Sequence, residues 1–434
     1  MTWIDLSWRQ LLLRLATALT VWALAAPLAL YLTSALLLRF LWSPFSGFWR
    51  PKARDQPPDV LQDAALGQHA YVTLDKGIKL HYVHNGDPAR PLMLFLHGFP
   101  EFWYSWKHQL QEFASDYWVV AVDMRGYGDS DKPSGTVPYR ADILVDDVKE
   151  LLDAFERPAA TLVGHGWGAA VAWMFMERYP ERVDRLVSVG APHPYVFQRA
   201  VVLNRKQLLR TWYLFLFQVP YLPELLLRCD DLACLASALR RGRRQPPALS
   251  DEDLEAYKYT FGRPGALTGP LNYYRAAGWG LPRRWRRQRA APAAEAEDGV
   301  EESGVTRDDG CPDGADSTST PTAEASAAEA SAAEEPSEAP EQDPSTLADS
   351  TTPVIPVAPL SSAAPTGPTP PVLVLMGGRD AYVETSTAFR TRKRFPNVSV
   401  VIVRDANHFV HLDDPAAANK AVRKFLAASA QCAA

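Results

Sequence analysis

The sequence has little cysteine: four residues in 434 (Cys229, Cys234, Cys311 and Cys432), with no CxxC pair and no histidine at ligand spacing. That excludes a disulfide framework and a cysteine-based zinc site, and it fits a reducing compartment. Basic residues are nearly missing from 291 to 350, where seventeen acidic side chains stand against Arg307 alone. The whole chain carries −5, so these sixteen surplus negative charges leave the remainder at +11. A basic remainder suits an anionic membrane surface. No basic motif interleaved with aromatics is present, so nucleic acid is not an expected partner. Aromatics are also scarce from 283 to 370, a stretch rich in Ala, Ser, Thr, Pro and Glu. Such a composition buries too little apolar area to offset chain entropy, and a disordered acidic insertion is expected there.

Charge is missing altogether from Leu15 to Leu38, 24 residues. At about 1.5 Å per residue this run can cross ~30 Å of hydrocarbon. A cleaved signal peptide is the competing explanation. The run is long for one, and no A-x-A site closes it. Residues 1–50 are therefore expected to be a membrane anchor and 51–67 a polar linker. Arg39, Arg50, Lys52 and Arg54 come after the span, against Arg9 and Arg14 before it. This small excess places the C-terminal side in the cytosol, as a single-pass protein of the endoplasmic reticulum.

Beyond the linker the chain takes up a β-α rhythm. Tyr71–Leu74 and Ile78–Val83 are predicted to pair around Asp75-Lys76-Gly77. Pro91–Leu96 and Trp118–Val122 are continuous apolar runs, as in buried parallel strands. Ile143, Leu144, Val148, Leu151, Leu152 and Phe155 repeat at helical spacing. Ala160–Val163, Arg185–Gly190, Pro371–Met376 and Val398–Val403 are further strands. Strands alternating with helices imply a parallel, doubly wound sheet. From Pro194 to about Leu281 the rhythm stops, and an aromatic, Leu-rich segment shows helical patterning. The expected organisation is a core in two parts, 68–193 and 371–434, interrupted by a helical cap (194–282) and the acidic insertion (283–370).

Val163-Gly164-His165-Gly166-Trp167-Gly168 lies between a β-prone and a helix-prone run. Strand, sharp turn and helix is the layout of the nucleophile elbow of α/β-hydrolases. Gly164 and Gly168 fill its two small positions, so the nucleophile position falls on Gly166. Glycine has no side chain with which to attack.

HGFPEFWYSW (97–106), DMRGYGDSDKP (123–133), VGHGWG (163–168), GPLNYYR (269–275), GGRDAYVE (377–384) and NHFVHLDDP (407–415) together resemble the epoxide hydrolases of the α/β-hydrolase fold, and with the N-terminal anchor they are similar to the membrane-anchored epoxide hydrolase 3 and 4 type. The resemblance covers about 68–281 and 371–428. It implies an α/β-hydrolase fold with an inserted helical cap. It also implies opening of an epoxide by an Asp nucleophile, then hydrolysis of the resulting ester, with no cofactor and no metal. Gly166 stands where the family carries that Asp. The other parts match by position. Phe99 and Trp167 correspond to the oxyanion hole, whose N–H groups contribute about 3–4 kcal/mol in comparable sites. Asp380 matches the acid that orients the base, and His408 matches the histidine that activates water. His411 is a competitor three residues on. Tyr274 and Tyr213 match the proton donors to the epoxide oxygen, with Tyr273 the alternative to Tyr274. His97 and His165 are expected to be structural. The implied substrate is a lipophilic epoxide such as that of a fatty acid, with membrane lipid as the partner of the anchor. Loss of the nucleophile leaves a second possibility, an inactive lipid-binding or scaffolding protein. A haloalkane dehalogenase would need the same missing Asp and lacks a use for the paired tyrosines. An esterase would need Ser at position 166.

Overall fold

The computed structural model describes residues 8–240, 249–277 and 370–431, with side chains from Leu19 onward. The expected acidic insertion, 283–370, lies outside the described residues apart from Pro370.

Eight strands form one sheet: β1 (Gln68–Thr73), β2 (Lys79–Asn85), β3 (Leu92–Leu96), β4 (Trp118–Val122), β5 (Ala160–His165), β6 (Val183–Val189), β7 (Val372–Gly377) and β8 (Val398–Val403). Their order is β1-β2-β4-β3-β5-β6-β7-β8. β2 pairs antiparallel with β1 and β4, and every pair from β4 to β8 is parallel. Every residue of β3, β4, β5 and β7 is buried, as expected of strands covered on both faces.

In chain order the helices are α1 (Trp8–Trp42), α2 (Lys107–Phe113), α3 (Ala141–Ala154), α4 (Trp167–Arg178), α5 (Pro194–Leu203), α6 (Arg205–Arg210), α7 (Trp212–Leu216), α8 (Leu222–Leu239), α9 (Asp251–Gly262), α10 (Thr268–Ala277), α11 (Ser386–Arg394), α12 (Val410–Asp413) and α13 (Pro415–Gln431). The predicted stripe of α3 is the face it buries, through Leu144, Val148, Leu151 and Leu152. α8 leaves helical angles at Cys229–Leu232. Cys229 and Cys234 are both free.

The parallel strands all end at one edge, so the loops after β3, β4, β5, β7 and β8 gather there. This is where open α/β sheets bind ligands. Helices α5–α10, between β6 and β7, pack on those loops: Phe217 and Tyr274 stack edge-on against Phe99, and Tyr274 against Trp167. Residues Leu19–Trp42 of α1 have a mean hydropathy of 1.9 and are long and apolar enough to cross a membrane. A signal sequence shares that property. One contact was not foreseen: Val21 and Ala25 of α1 are buried against Phe215 of α7, flanked by Leu208 and Val219.

Candidate active site

The turn after β5 has the conformation that the elbow requires. Gly166 sits at φ 52°, ψ −114° and caps α4. That left-handed geometry favours glycine. Its two small neighbours are needed for packing. A Cβ on Gly164 would lie 2.6 Å from Ala169 backbone, and one on Gly168 only 2.0 Å from the Leu96 carbonyl oxygen. Position 166 is different, because a Cβ there would meet only the Gly98 Cα, at 3.5 Å. The space for a nucleophile's side chain is intact although the side chain is not there.

The sequence-derived residues converge on this turn. His408, after β8, presents Nδ1 to Asp380 Oδ2 at 2.9 Å. Asp380 comes just after β7, and its Oδ1 accepts the Tyr382 and Val383 N–H groups, both at 2.8 Å. Three acceptor contacts fix the carboxylate, and the imidazole is left with Nε2 for other work. Burial would lower the His408 pKa, but the charge of Asp380 and its hydrogen bond outweigh burial, and the net shift is upward. The two loops are also tied together by Asn407, whose side chain accepts the Ala381 N–H at 2.9 Å. α6 braces the acid loop from the other side: Arg210 donates to the Asp380 carbonyl at 2.9 Å and Gln207 to that of Tyr382 at 2.8 Å.

Among the described residues, neither the Phe99 nor the Trp167 backbone N–H has a hydrogen-bond partner. The Trp167 N–H opens α4, where orphan donors and the positive end of the helix dipole favour negative charge. Tyr213 and Tyr274 face this region with ring centres 6.2 Å apart. Tyr274 lies 5.4 Å from the Trp167 ring and 5.9 Å from Phe99. Tyr382 bridges the tyrosines to the base, 5.8 Å from Tyr213 and 5.1 Å from His408. Burial pushes both cap hydroxyls well above their ordinary value of 10.0, so both keep their protons. Tyr273, the alternative, is placed elsewhere: its hydroxyl donates to the Arg125 carbonyl at 2.8 Å. α7 and α10 are joined by Gln218, which donates to the Tyr274 carbonyl at 3.0 Å, and by Arg275, which pairs with Glu224 and donates to the Phe217 and Val219 carbonyls.

His411, the competitor of His408, is buried beneath the site, 3.0 Å from Glu101 Oε1. Glu101 was not singled out from the sequence, although it stands out as a lone carboxylate in the apolar run FPEFWYSW. It is fully buried and accepts the Gly98 N–H at 2.8 Å. His165 is equally buried. Its Nδ1 meets Glu101 Oε2 at 2.5 Å, and its Nε2 meets the His408 carbonyl at 3.2 Å. A carbonyl can only accept, so Nε2 carries a proton. The Nδ1 contact then needs a second proton, and the Glu101–His165 pair holds both. Burial raises the Glu101 pKa, but His165 and His411 outweigh it and hold the carboxyl well below its usual range. Glu101, His165 and His411 offer three ligand atoms within 4.8 Å of one another. Glu101 Oε1 and both ring nitrogens of His411 have no partner in hydrogen-bond geometry among the described residues. His97 is also internal: its Nε2 accepts the Met124 N–H at 3.0 Å.

Residues 91–415 match the sequence profile of the alpha/beta hydrolase fold family. Epoxide hydrolase 4 of Mus musculus is 43% identical over 271 residues, which cover 59% of this chain and 74% of the relative. Epoxide hydrolase 4 of Homo sapiens is 45% identical over 248 residues, covering 55% and 68%. Among solved structures, an epoxide hydrolase of Bacillus megaterium in complex with an inhibitor superposes with a TM-score of 0.59 at 26% identity, over 82% of this chain and 99% of its own. Strand order, the elbow after β5, the acid–histidine pair after β7 and β8, and these relatives agree, and the chain belongs to the epoxide hydrolase family of the α/β-hydrolase fold.

Proposed function

We propose that this chain is an epoxide hydrolase by descent, whose site holds a lipophilic epoxide beneath the cap formed by α5–α10 but lacks the group that attacks it. The observation that carries this reading is the convergence of Tyr213, Tyr274 and the His408–Asp380 pair on a turn whose nucleophile position is Gly166. In a family member, an Asp oxygen attacks an epoxide carbon and the C–O bond breaks. A tyrosine proton goes to the oxygen that is released. The imidazole of His408 then takes a proton from water, the hydroxide adds to the ester carbonyl, and the Phe99 and Trp167 N–H groups stabilise the oxyanion. The diol leaves, the carboxylate is restored, and the proton held by His408 returns to the tyrosine that gave one up. Here the second half of this machinery is present without its first step. Loss of a nucleophile in a comparable hydrolase costs on the order of 10⁶ in rate.

Epoxide binding without turnover is thus the activity proposed for the chain itself, with fatty-acid epoxides as the ligand class. The apolar lining by Phe99, Phe217 and Trp167 supports a lipophilic ligand. α1 holds the chain at a membrane, and the basic residues after it favour the cytosolic face of the endoplasmic reticulum.

The test is Gly166→Asp. This variant is expected to convert a fatty-acid epoxide to its diol, while the parent stays at background. Adding His408→Ala should trap the ester as a mass increase equal to the mass of the substrate. Turnover by the parent that Tyr274→Phe and His408→Ala both reduce would overturn the reading, because it would mean direct attack by a His408-activated water.

A further inference from the structure

The turn at Gly166 keeps the surroundings of a carboxylate without the carboxylate. Apart from its chain neighbours, only the Gly98 Cα would come within 4 Å of a Cβ at position 166, at 3.5 Å. The N–H groups of Trp167 and of Phe99, the residues next to Gly166 and Gly98, have no acceptor among the described residues. A helix end such as that of α4 attracts an anion only modestly by itself. Here side chains add to it. Tyr274 is 8% exposed, and no described group accepts its hydroxyl proton. His408 gives Nδ1 to Asp380 and keeps Nε2 without a described partner. The neighbouring anions are already matched, Asp380 by His408 and two N–H groups and Glu101 by His165. The donors around Gly166 have no negative charge of their own.

Covalent geometry sets the size of the anion that fits. In an Asp side chain, Cβ and Cγ lie about 1.5 and 2.5 Å from Cα. An unbonded carbon comes no nearer than about 3.5 Å. In the orientation of an Asp side chain, a free carboxylate therefore stands further out by about 1 Å if its carboxyl carbon leads and about 2 Å if a methyl group does. Formate is the first case and acetate the second.

We infer that this chain binds a free monocarboxylate beside Gly166 and uses it as the nucleophile that the chain lacks, with formate the best fit. The inference rests on the proposed epoxide chemistry. A formate oxygen attacks an epoxide carbon, the ring C–O bond breaks, and a tyrosine proton goes to the oxygen released. The product is a hydroxyalkyl formate that is bound but not tethered. His408 takes a proton from water and the hydroxide adds to the formyl carbon. The adduct collapses to formic acid and alkoxide, and the acid proton passes to the alkoxide. The proton on His408 returns to the tyrosine. Formate is regenerated, and the net change is epoxide plus water to diol.

The full-length chain in detergent, given a fatty-acid epoxide, tests this. Loss of the nucleophile costs on the order of 10⁶, and tethering is equivalent to about 10⁵ M or more, so about 1 M formate should raise diol formation about tenfold above background. Equal sodium chloride should not. Acetate should be weaker than formate, and propionate weaker again. With His408→Ala, formate should yield the hydroxyalkyl formate, heavier than the epoxide by the mass of formic acid, in place of the diol. Gly166→Ala sets a methyl group where the formate carbon must approach, and it should abolish the response. A response shared by chloride, or undiminished in Gly166→Ala, would overturn the inference. No response by the parent while Gly166→Asp turns over the epoxide would overturn it and leave the proposed function standing. No response by the parent and an inactive Gly166→Asp would overturn both.

Discussion

His408 Nδ1 sits 2.9 Å from Asp380 Oδ2, across the ends of β8 and β7, which are neighbours in the sheet. The pair raises the His408 pKa above its ordinary 6.5. A raised histidine contributes stability that is fully present below the unfolded value and is lost as pH rises through the folded one. The gap in melting temperature between the parent and Asp380→Asn should therefore be widest at pH 5–6 and narrow as pH rises above 6.5. In a Gly166→Asp background the same substitution should slow ester hydrolysis by on the order of 10⁴, as when the orienting aspartate of a serine-protease triad is replaced. It should also move the pH at which hydrolysis switches on to a lower value. A gap that widens with pH, or hydrolysis as fast as with Asp380, would refute the pairing's role.

The two neighbouring tyrosines on α10 should separate cleanly. Tyr274 has its proton free for a ligand, whereas Tyr273 spends its own on the Arg125 carbonyl. In the Gly166→Asp background, Tyr274→Phe and Tyr213→Phe should each slow ester formation by about 10²–10⁴, the usual range for a general acid. Tyr273→Phe should leave that rate near parental and cost about 1 kcal/mol of stability for a buried hydrogen bond. Pre-steady-state mass analysis of the ester and thermal melts would distinguish them. An equal rate loss for Tyr273→Phe would count against the assignment.

The contrast shows why some of this site was legible in the sequence and some was not. Gly166, Asp380 and His408 each come after an apolar run legible as a strand, buried throughout in β5 and β7 and at Val398 alone in the edge strand β8, and parallel strands deliver their loops to one edge. The strand pattern therefore located the site before any distance was known. Glu101 escaped notice and His411 was weighed only as a competitor for the base, because their partnership is a contact between the loops after β3 and β8, far apart in sequence. Local pattern carries no information about such a pair. The packing of α1 on Phe215 was hidden for the same reason. An apolar helix has the same composition whether it crosses a bilayer or lies along a protein.

Glu101 is the buried group whose removal should be felt most. Its folded pKa is held well below its usual 4.5, so it contributes stability above that value that is lost as pH falls through the folded one. Glu101→Gln leaves His165 and His411 without their anion, and breaking a buried pair from one side costs about 3–5 kcal/mol. The difference in unfolding free energy should be largest above pH 5 and shrink towards pH 3. Denaturant melts across that range would check it. A difference independent of pH would mean that Glu101 is not ionised in the folded protein.

The three glycines of the elbow make opposite predictions from identical substitutions. Gly164→Ala and Gly168→Ala would drive a Cβ into backbone, at 2.6 Å from Ala169 and 2.0 Å from the Leu96 carbonyl oxygen. Backbone cannot rotate away as a side chain can, so β5, α4 and β3 would have to separate. Both variants should fail to accumulate as folded protein. Gly166→Ala meets only the Gly98 Cα at 3.5 Å, an ordinary contact, and its cost is the backbone angle alone. A non-glycine residue held at such an angle costs about 1–3 kcal/mol, partly offset by the reduced freedom of its unfolded chain. Gly166→Ala should thus fold with a modestly lower melting temperature, and Gly166→Asp should do the same while gaining the chemistry. If Gly166→Ala were as damaging as Gly168→Ala, position 166 could not accept a side chain. The glycine would then be a requirement of this backbone, and the space beside it could not be the place of a nucleophile.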